Sequence, residues 1–459
     1  MRRRRLIRAA KWLAFFLLAA SASSALAYEL LARWEESRLA ERVAAIRASG
    51  APTSAAQLGQ PKVPDAENAA LVYQRAFAAL SLSKEDEEFL STVDSGKTSL
   101  ARSAVRERVR GILEANRQAI GLIEQASRMP RCQFPVDWQA GYQATFPHLA
   151  KLRHCVRLVV AQAVLLASEG RGHAALAACG TAFRIADSLA SEPNLTSQWV
   201  RYALIAIAQK GLEVILNESQ PSAEACRRLA SELATVDLVP GLVAAFEGER
   251  AIGLTLFEQV RASPNPMHAI ARLAVDQSGP PPQAPAPPRS RVTPASPLVS
   301  LTLALDALTY LDVMGRCLEL APLPYSEASS AKPSVEDMIP DSSWKPWPPR
   351  ILTVLLAPEP AADVQDRAKA EAALRLASVA LRLKAYRLMH DAYPNSLAEL
   401  ERATRGARPF DPFSGKSLLY RRQGQGFLLY SVGPDLKDDG GTRSKTGSRK
   451  EDLLFECTR

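Results

Sequence analysis

Between Trp12 and Tyr28 the chain carries no charge, and six positive residues (Arg2, Arg3, Arg4, Arg5, Arg8 and Lys11) stand directly before this run. Its length meets the minimum of about 17 residues for a helix that spans a bilayer. Inside lipid the backbone can satisfy its own polar groups only as a helix or a closed barrel, so the segment has one available conformation. Positive charge is retained on the cytoplasmic side, which directs the remainder of the chain outward. Two fates fit. Ala25 and Ala27 flank Leu26 in a small-x-small pattern that suits cleavage of a secretory signal. Alternatively the run stays as an anchor, because the sequence from Tyr28 to Arg47 continues as an amphipathic helix, with Tyr28 and Trp34 where interfacial aromatics settle. The sequence favours the anchor: a single-pass protein of a bacterial inner membrane with its bulk in the periplasm, the alternative being a secreted or periplasmic chain cleaved near Ala27. Four consecutive arginines exclude a buried cytosolic helix.

The leader also explains the charge. The chain has a formal net charge of +9. The leader supplies six positive charges and no acid, leaving 9 − 6 = +3 for everything else. No concentrated basic face remains, and with it goes nucleic-acid binding. The 459 residues are enough for two or three domains. Six cysteines (Cys132, Cys155, Cys179, Cys226, Cys317, Cys457) show no C-x-x-C pair, so zinc and thioredoxin-type sites lack support. Their apolar helical surroundings predict buried free thiols for at least four of them.

The pattern predicts a mainly α protein with five parts: a signal or anchor at 1–30, a helical domain at 31–275, a proline-rich linker at 276–297, a helical segment and loop at 298–360 that packs on the helical domain, and a small α+β module at 361–459. In the helical domain, Asp65 is placed to cap a helix over 67–80. Leu149, Leu152, Val156, Val159, Ala163 and Leu166 line one face of a helix. Gly170 and Gly172 turn it into a second helix, faced by Ala175, Ala178, Ala182 and Ile185. Helices at 202–216 and 223–236, broken at Gln220 and Pro221, predict a second hairpin. The hairpins look like tetratricopeptide units in size, but no strict period recurs, so an irregular helical-hairpin array is expected. Proline has no amide donor, which leaves the linker extended. Trp344 and Trp347 are expected to pin their loop to the core.

The last part reads helix then strands. A helix over 363–390 stops at Tyr393 and Pro394, a short helix follows at 395–400, and Asp411 with Pro412 makes a turn. Residues 417–422 and 426–432 form a predicted hairpin, and 451–456 a return strand. With Tyr386, His390, Tyr393, Pro394, Asp411, Pro412, Gly415, Tyr420 and the run Leu429 to Asp435 followed by Gly440 and Gly441, this order resembles the globular part of the major pseudopilin of type II secretion systems. The resemblance covers residues 365–456. It implies a calcium loop in which Asp435 matches the first acidic ligand, with Asp438, Asp439, Glu451 and Asp452 nearby. The chain departs from that family in lacking its processed leader. In addition Lys437, Arg443, Lys445, Arg449 and Lys450 offset the five acids, whereas calcium sites rely on uncompensated oxygen. Aspartates engaged in local backbone bonds are the plainer reading. The layout as a whole, with Asp65 to Ala70 ahead of the helical body, resembles a class of bacterial membrane-anchored envelope proteins, which adds a location and no activity.

Catalytic motifs are missing. Ser91 to Thr98 ends like a phosphate-binding loop but lacks its first glycine and a preceding strand. His148 and His154 are six apart, not on one helical face, and the five histidines include no H-E-x-x-H. No G-x-S-x-G occurs. Residues 85–88 are an acidic helix start, and the glycosylation patterns at Asn194 and Asn217 matter only in a eukaryotic secretory route. The expected function is a membrane-anchored scaffold or protein-binding protein without catalysis or cofactor, linked to secretion or pilin-like systems and binding an envelope protein partner. The alternative is an extracytoplasmic hydrolase whose carboxylates lie in the helical domain.

Overall fold

The computed structural model describes residues 2–266, 268–270, 272, 297–339, 350–404, 409–442 and 452–458, without the side chains of 2–10. The proline-rich linker up to 296, Trp344, Trp347 and Glu451 lie outside the described residues. The protein is mainly helical, with an apolar N-terminal helix and a small three-stranded sheet. Its helices are α1 (Arg2–Ala48), α2 (Ala69–Ala79), α3 (Lys84–Asp94), α4 (Ser103–Ala115), α5 (Arg117–Ala126), α6 (Pro147–Ser168), α7 (Gly172–Asp187) and α8 (Leu195–Glu218). Then follow α9 (Ala223–Ala234), α10 (Val239–Ala262), α11 (Pro297–Leu320), α12 (Tyr325–Ala328), α13 (Val335–Met338), α14 (Ile351–Leu356), α15 (Pro360–His390) and α16 (Leu397–Thr404). The strands are β1 (Leu419–Gln423), β2 (Gly426–Ser431) and β3 (Leu453–Cys457).

Asn68, not Asp65, caps α2. Its Oδ1 accepts from Ala70 N at 3.1 Å and from Gln133 N at 2.9 Å, and its Nδ2 donates to Gln133 O at 3.0 Å. Asp65 instead opens a 3-10 turn over Asp65–Glu67. The tertiary pairing with Gln133 outweighs the local capping preference that pointed to Asp65.

Helices α6 and α7 form the expected hairpin, turned at Gly170 with a φ of +74°. The second hairpin does not form. Although α8 and α9 are consecutive, α15 lies between them and packs on both. Small residues permit the close approach: Ala377 and Ala380 of α15 are fully buried, and Ser378 Oγ donates to Ala230 O at 2.9 Å. Gly211 of α8 does the same for α6, since a Cβ there would meet Val160 Cγ1 at 2.4 Å. A helix predicted to belong to a terminal module therefore completes the helical array. One continuous apolar core runs from Ala69 to Cys457.

The sheet is an antiparallel meander in the order β1-β2-β3, with Tyr420 opposite Leu429 and Leu429 opposite Phe455. Every residue of β2 is buried, and the sheet packs on α15. Strand β3 is also fastened to α8: Asn217 Nδ2 donates to Glu456 O at 2.9 Å, and Asn217 Oδ1 accepts from Thr458 N at 2.8 Å.

A second core gathers α10, α11, α13, α14 and the start of α15. Helix α1 leaves the apolar run without a break and reaches this core. Ala32 and Glu35 are buried, Leu39 packs on the core, and Arg42 pairs with Asp312. Among the described residues, three stretches are long and apolar enough to cross a membrane: Lys11–Ala48, Ala223–Ala262 and Pro297–Leu320. The apolar window of the first is 0% buried in the protein, whereas the other two bury 44% and 56% of theirs. Those two also carry buried charged residues, Arg250 and Asp306, the latter accepting from the amides of Leu352 and Thr353.

Candidate functional site

Two large depressions lie among the described residues. The first is a polar cleft of about 1000 Å³ between residues 50–63, 127–134 and the loop joining α7 to α8. That loop is rigidly held. Gln198 Nε2 donates to Leu189 O at 3.0 Å and to Glu192 O at 3.1 Å. Glu249 Oε1 accepts from Asn194 Nδ2 and Leu195 N, both at 3.1 Å. Gly248 makes the packing possible, because a Cβ there would fall 1.9 Å from Pro193 O. The result places Glu192 at the floor of the cleft, where its Oε1 accepts from Ser197 Oγ at 2.8 Å and lies 3.0 Å from His148 Nε2. The His148 ring stacks on Phe134, centroids 4.3 Å apart.

These residue types invite comparison with a nucleophilic relay, but the order is wrong. In such a relay histidine stands between acid and hydroxyl. Here Glu192 stands between, and Ser197 is fully buried. Cys132 also lines the cleft, yet burial and then the charge of Glu192 push its thiol up to about 12, which keeps it protonated and unreactive. The remaining carboxylates are matched by arginine: Asp187 Oδ1 is 2.6 Å from Arg201 Nη2, and Glu232 Oε1 is 2.6 Å from Arg184 Nη1. Arg201 is itself 1% exposed, so the pair fixes α7 to α8. The two histidines noted in the sequence part company. His148 goes to Glu192, whereas His154 Nδ1 lies 3.1 Å from Glu87.

The second depression, about 990 Å³, runs between α9, α15 and the 409–415 turn. Leu233, Val236, Leu374, Val379 and Ala385 line it, and Met389 and Phe410 stand over it 49% and 51% exposed. Arg227, Arg367, Arg375, Arg382, Asp237, Glu371 and Asp411 also line it, and Arg367 and Arg375 both pair with Glu371 along α15. Asp411 is saturated by internal hydrogen bonds, and the lining holds four arginines against three carboxylates. Arg375 Nη1 donates to Phe410 O at 2.8 Å and so fixes the backbone that presents the ring.

The acidic loop binds itself. Asp435 Oδ1 accepts from Lys437 N at 3.0 Å, Asp438 Oδ1 accepts from Gly440 N at 2.9 Å and Tyr430 OH at 3.0 Å, and Asp452 Oδ2 accepts from Gly441 N at 2.8 Å. Asp439 contributes its carbonyl to Thr442 Oγ1. Burial, then the charges of Asp439 and Asp438, raise the Asp452 carboxyl above its ordinary value. Among the described residues no group of three or more His, Cys, Asp or Glu side chains could hold a metal ion. In the described part of the set one oxygen each of Asp435, Asp438 and Asp452 is committed to a backbone amide, a bond that competes with a cation. Adding millimolar calcium or a chelator is expected to leave the thermal midpoint unchanged. A rise of several degrees with calcium alone would restore a cation role, since a ligand that binds only the folded state must stabilise it.

Sequence reasoning missed Glu192, Phe410 and Met389. Asn194 as the cap of α8, accepting from Ser197 N, was a readable signal for the loop that carries Glu192. The exposure of Phe410 and Met389 had no sequence signal. No protein-family model, curated protein or solved structure matches the chain.

Proposed function

We propose that this protein is a membrane-anchored, periplasm-facing binding protein without catalytic activity, which takes a segment of an envelope protein partner into the groove beneath Phe410 and Met389. The groove carries this reading. It offers what a peptide-binding surface needs, apolar pockets with exposed large side chains at the centre and a charged rim. The arginine excess selects a segment whose apolar side chains are flanked by carboxylates. The order of helix and strands in residues 360–457 supports a pseudopilin-like tail, and partners in type II secretion or pilin-like assemblies belong to this proposal. The hydrolase alternative draws less support, because each carboxylate in the polar cleft is engaged, Glu192 with His148 and Ser197, Asp187 with Arg201 and Glu232 with Arg184.

The test is affinity capture of the full chain from detergent-solubilised envelope, comparing the wild type with the pair Met389→Asp and Phe410→Asp. Both side chains are half exposed, so the fold should hold. The expected result is a roughly tenfold or greater loss of the co-purifying partner, the scale of a lost hot spot. Undiminished capture by the variant, or no stable partner for the wild type, would overturn the proposal. Deleting residues 363–459 is not an equivalent test, because it strips α15 from the core.

A further inference from the structure

Helices α1, α10 and α11 share one edge of the body. Arg261 Nη2 of α10 lies 3.9 Å from Glu36 Oε1 of α1, whereas Ala55 N, just past α1, donates to Thr255 Oγ1 at 2.8 Å. The two helices thus run in opposite directions. Helix α11 runs opposite to α10 in turn. Tyr310 OH donates to Glu249 O at 2.8 Å, whereas Leu303 and Ala307 share a cavity of about 260 Å³ with Phe257, Glu258 and Arg261. The C-terminal end of α10 and the N-terminal end of α11 therefore both point back along α1 toward Tyr28, where its uncharged run stops.

Helical rise sets the heights. Ala32, the first residue of α1 buried by the body, is only about 6 Å past Tyr28. The headgroup layer on each side of a bilayer is itself about 5–7 Å thick. Leu298, five residues before Leu303 on α11, stands about 8 Å nearer the membrane than Leu303 does. Leu298 is 40% exposed, and in the segment after α10, which breaks at an extended Ser263 before turning helical again, His268 and Arg272 are exposed. Residues 262–272 and 297–305 include no acidic side chain. On its outward side α1 keeps Leu30, Leu31 and Trp34 exposed, so its apolar face extends about 9 Å past Tyr28.

We infer that the body does not stand off the membrane but is seated on it, the start of α11 with Leu298 resting in the phospholipid headgroup layer and the segment after α10, with His268 and Arg272, beside it. The occupant of this edge is the bilayer that holds α1, because one continuous helix brings the body to within about 6 Å of the level of Tyr28. The basic side chains of His268 and Arg272 suit lipid phosphates, and Leu298 suits the boundary with the acyl chains. This inference rests on α1 spanning the membrane.

Spin labels on the full chain, reconstituted into vesicles of equimolar phosphatidylcholine and phosphatidylglycerol, separate the two ideas. Cys132→Ser removes the one half-buried thiol among six, the others being buried. Single labels then go on Leu17→Cys, Leu298→Cys and Ser49→Cys, the last about 31 Å past Tyr28 along α1. Accessibility to oxygen and to a nickel chelate reports depth. The Leu17 label should be open to oxygen and shielded from nickel, and the Ser49 label the reverse. The Leu298 label should lose most of the nickel accessibility seen at Ser49, and adding Arg272→Glu should return part of it. A Leu298 label as open to nickel as the Ser49 label, with Leu17 still embedded, would overturn the seat and leave the anchor standing. A Leu17 label open to nickel would remove the anchor, and the seat with it.

Discussion

Replacing Asp411 with alanine should cost the protein about 3–5 kcal/mol, a large fraction of what holds any fold together. The carboxylate is 1% exposed and accepts from four donors. Oδ1 takes Phe413 N at 3.0 Å and Ser431 Oγ at 2.7 Å, and Oδ2 takes Ser414 Oγ at 2.9 Å and Val432 N at 3.2 Å. It thus ties the 411–415 turn to the end of β2. The hydroxyls can turn to other acceptors, but the amides of Phe413 and Val432 would be left buried and unmatched, each costing about 1–3 kcal/mol. Asparagine should also destabilise, because its Nδ2 would face donors. Denaturant unfolding of the full chain in detergent is the measurement. A loss below about 1 kcal/mol for alanine would show that the turn holds without its carboxylate.

Asp363 should give the opposite sign. It is buried at the start of α15 and accepts from Trp199 Nε1 at 2.9 Å. Its Oδ2 is buried with no partner. Burial pushes its carboxyl up from 3.8 to about 7, the Trp199 bond opposes this, and Asp366, Glu249 and Glu359 add to it. Between about pH 4 and pH 7 the folded chain then holds more protons than the unfolded chain, so stability falls as pH rises through that window and stays reduced above it. Asp363→Asn removes this penalty while keeping an acceptor for Trp199. The variant should match the wild type near pH 4 and exceed it at pH 8 by on the order of 3–4 kcal/mol. Asp94, pushed up by burial to about 6 and opposed by Arg157, adds a smaller slope of the same sign that the variant retains. Thermal midpoints measured from pH 4 to pH 8 that run parallel for the two proteins would refute the assignment.

The parts of this fold that were legible in the sequence are those set by neighbours along the chain. The leader helix, the α6–α7 hairpin at Gly170 and the β1–β2 hairpin follow from charge, periodicity and glycine. The Asp411 turn was readable too, though not that its carboxylate would bridge to Ser431. What could not be read was which distant helix fills a groove. Residues 223–236 follow 202–216 closely, and only the structure shows α15 between them. Ala377, Ala380 and Ser378 fit such a slot, but small residues on a helix do not name the partner that needs them. The candidate groove escaped for the same reason, since its walls come from α9, α15 and the 409–415 turn.

The fastening of β3 to α8 sets an order of events in synthesis. Phe455 and Cys457 lie in the same core as Ala69 and Leu152, and Asn217 holds Thr458. Contacts that far apart along the chain close late. A nascent chain therefore cannot complete its main core until residue 457 has been made, and until then α8 and α9 expose the faces that α15 will cover. A chain that stays open this long suits the export that the proposed periplasmic location requires, and its uncovered apolar faces leave it prone to aggregation until it closes.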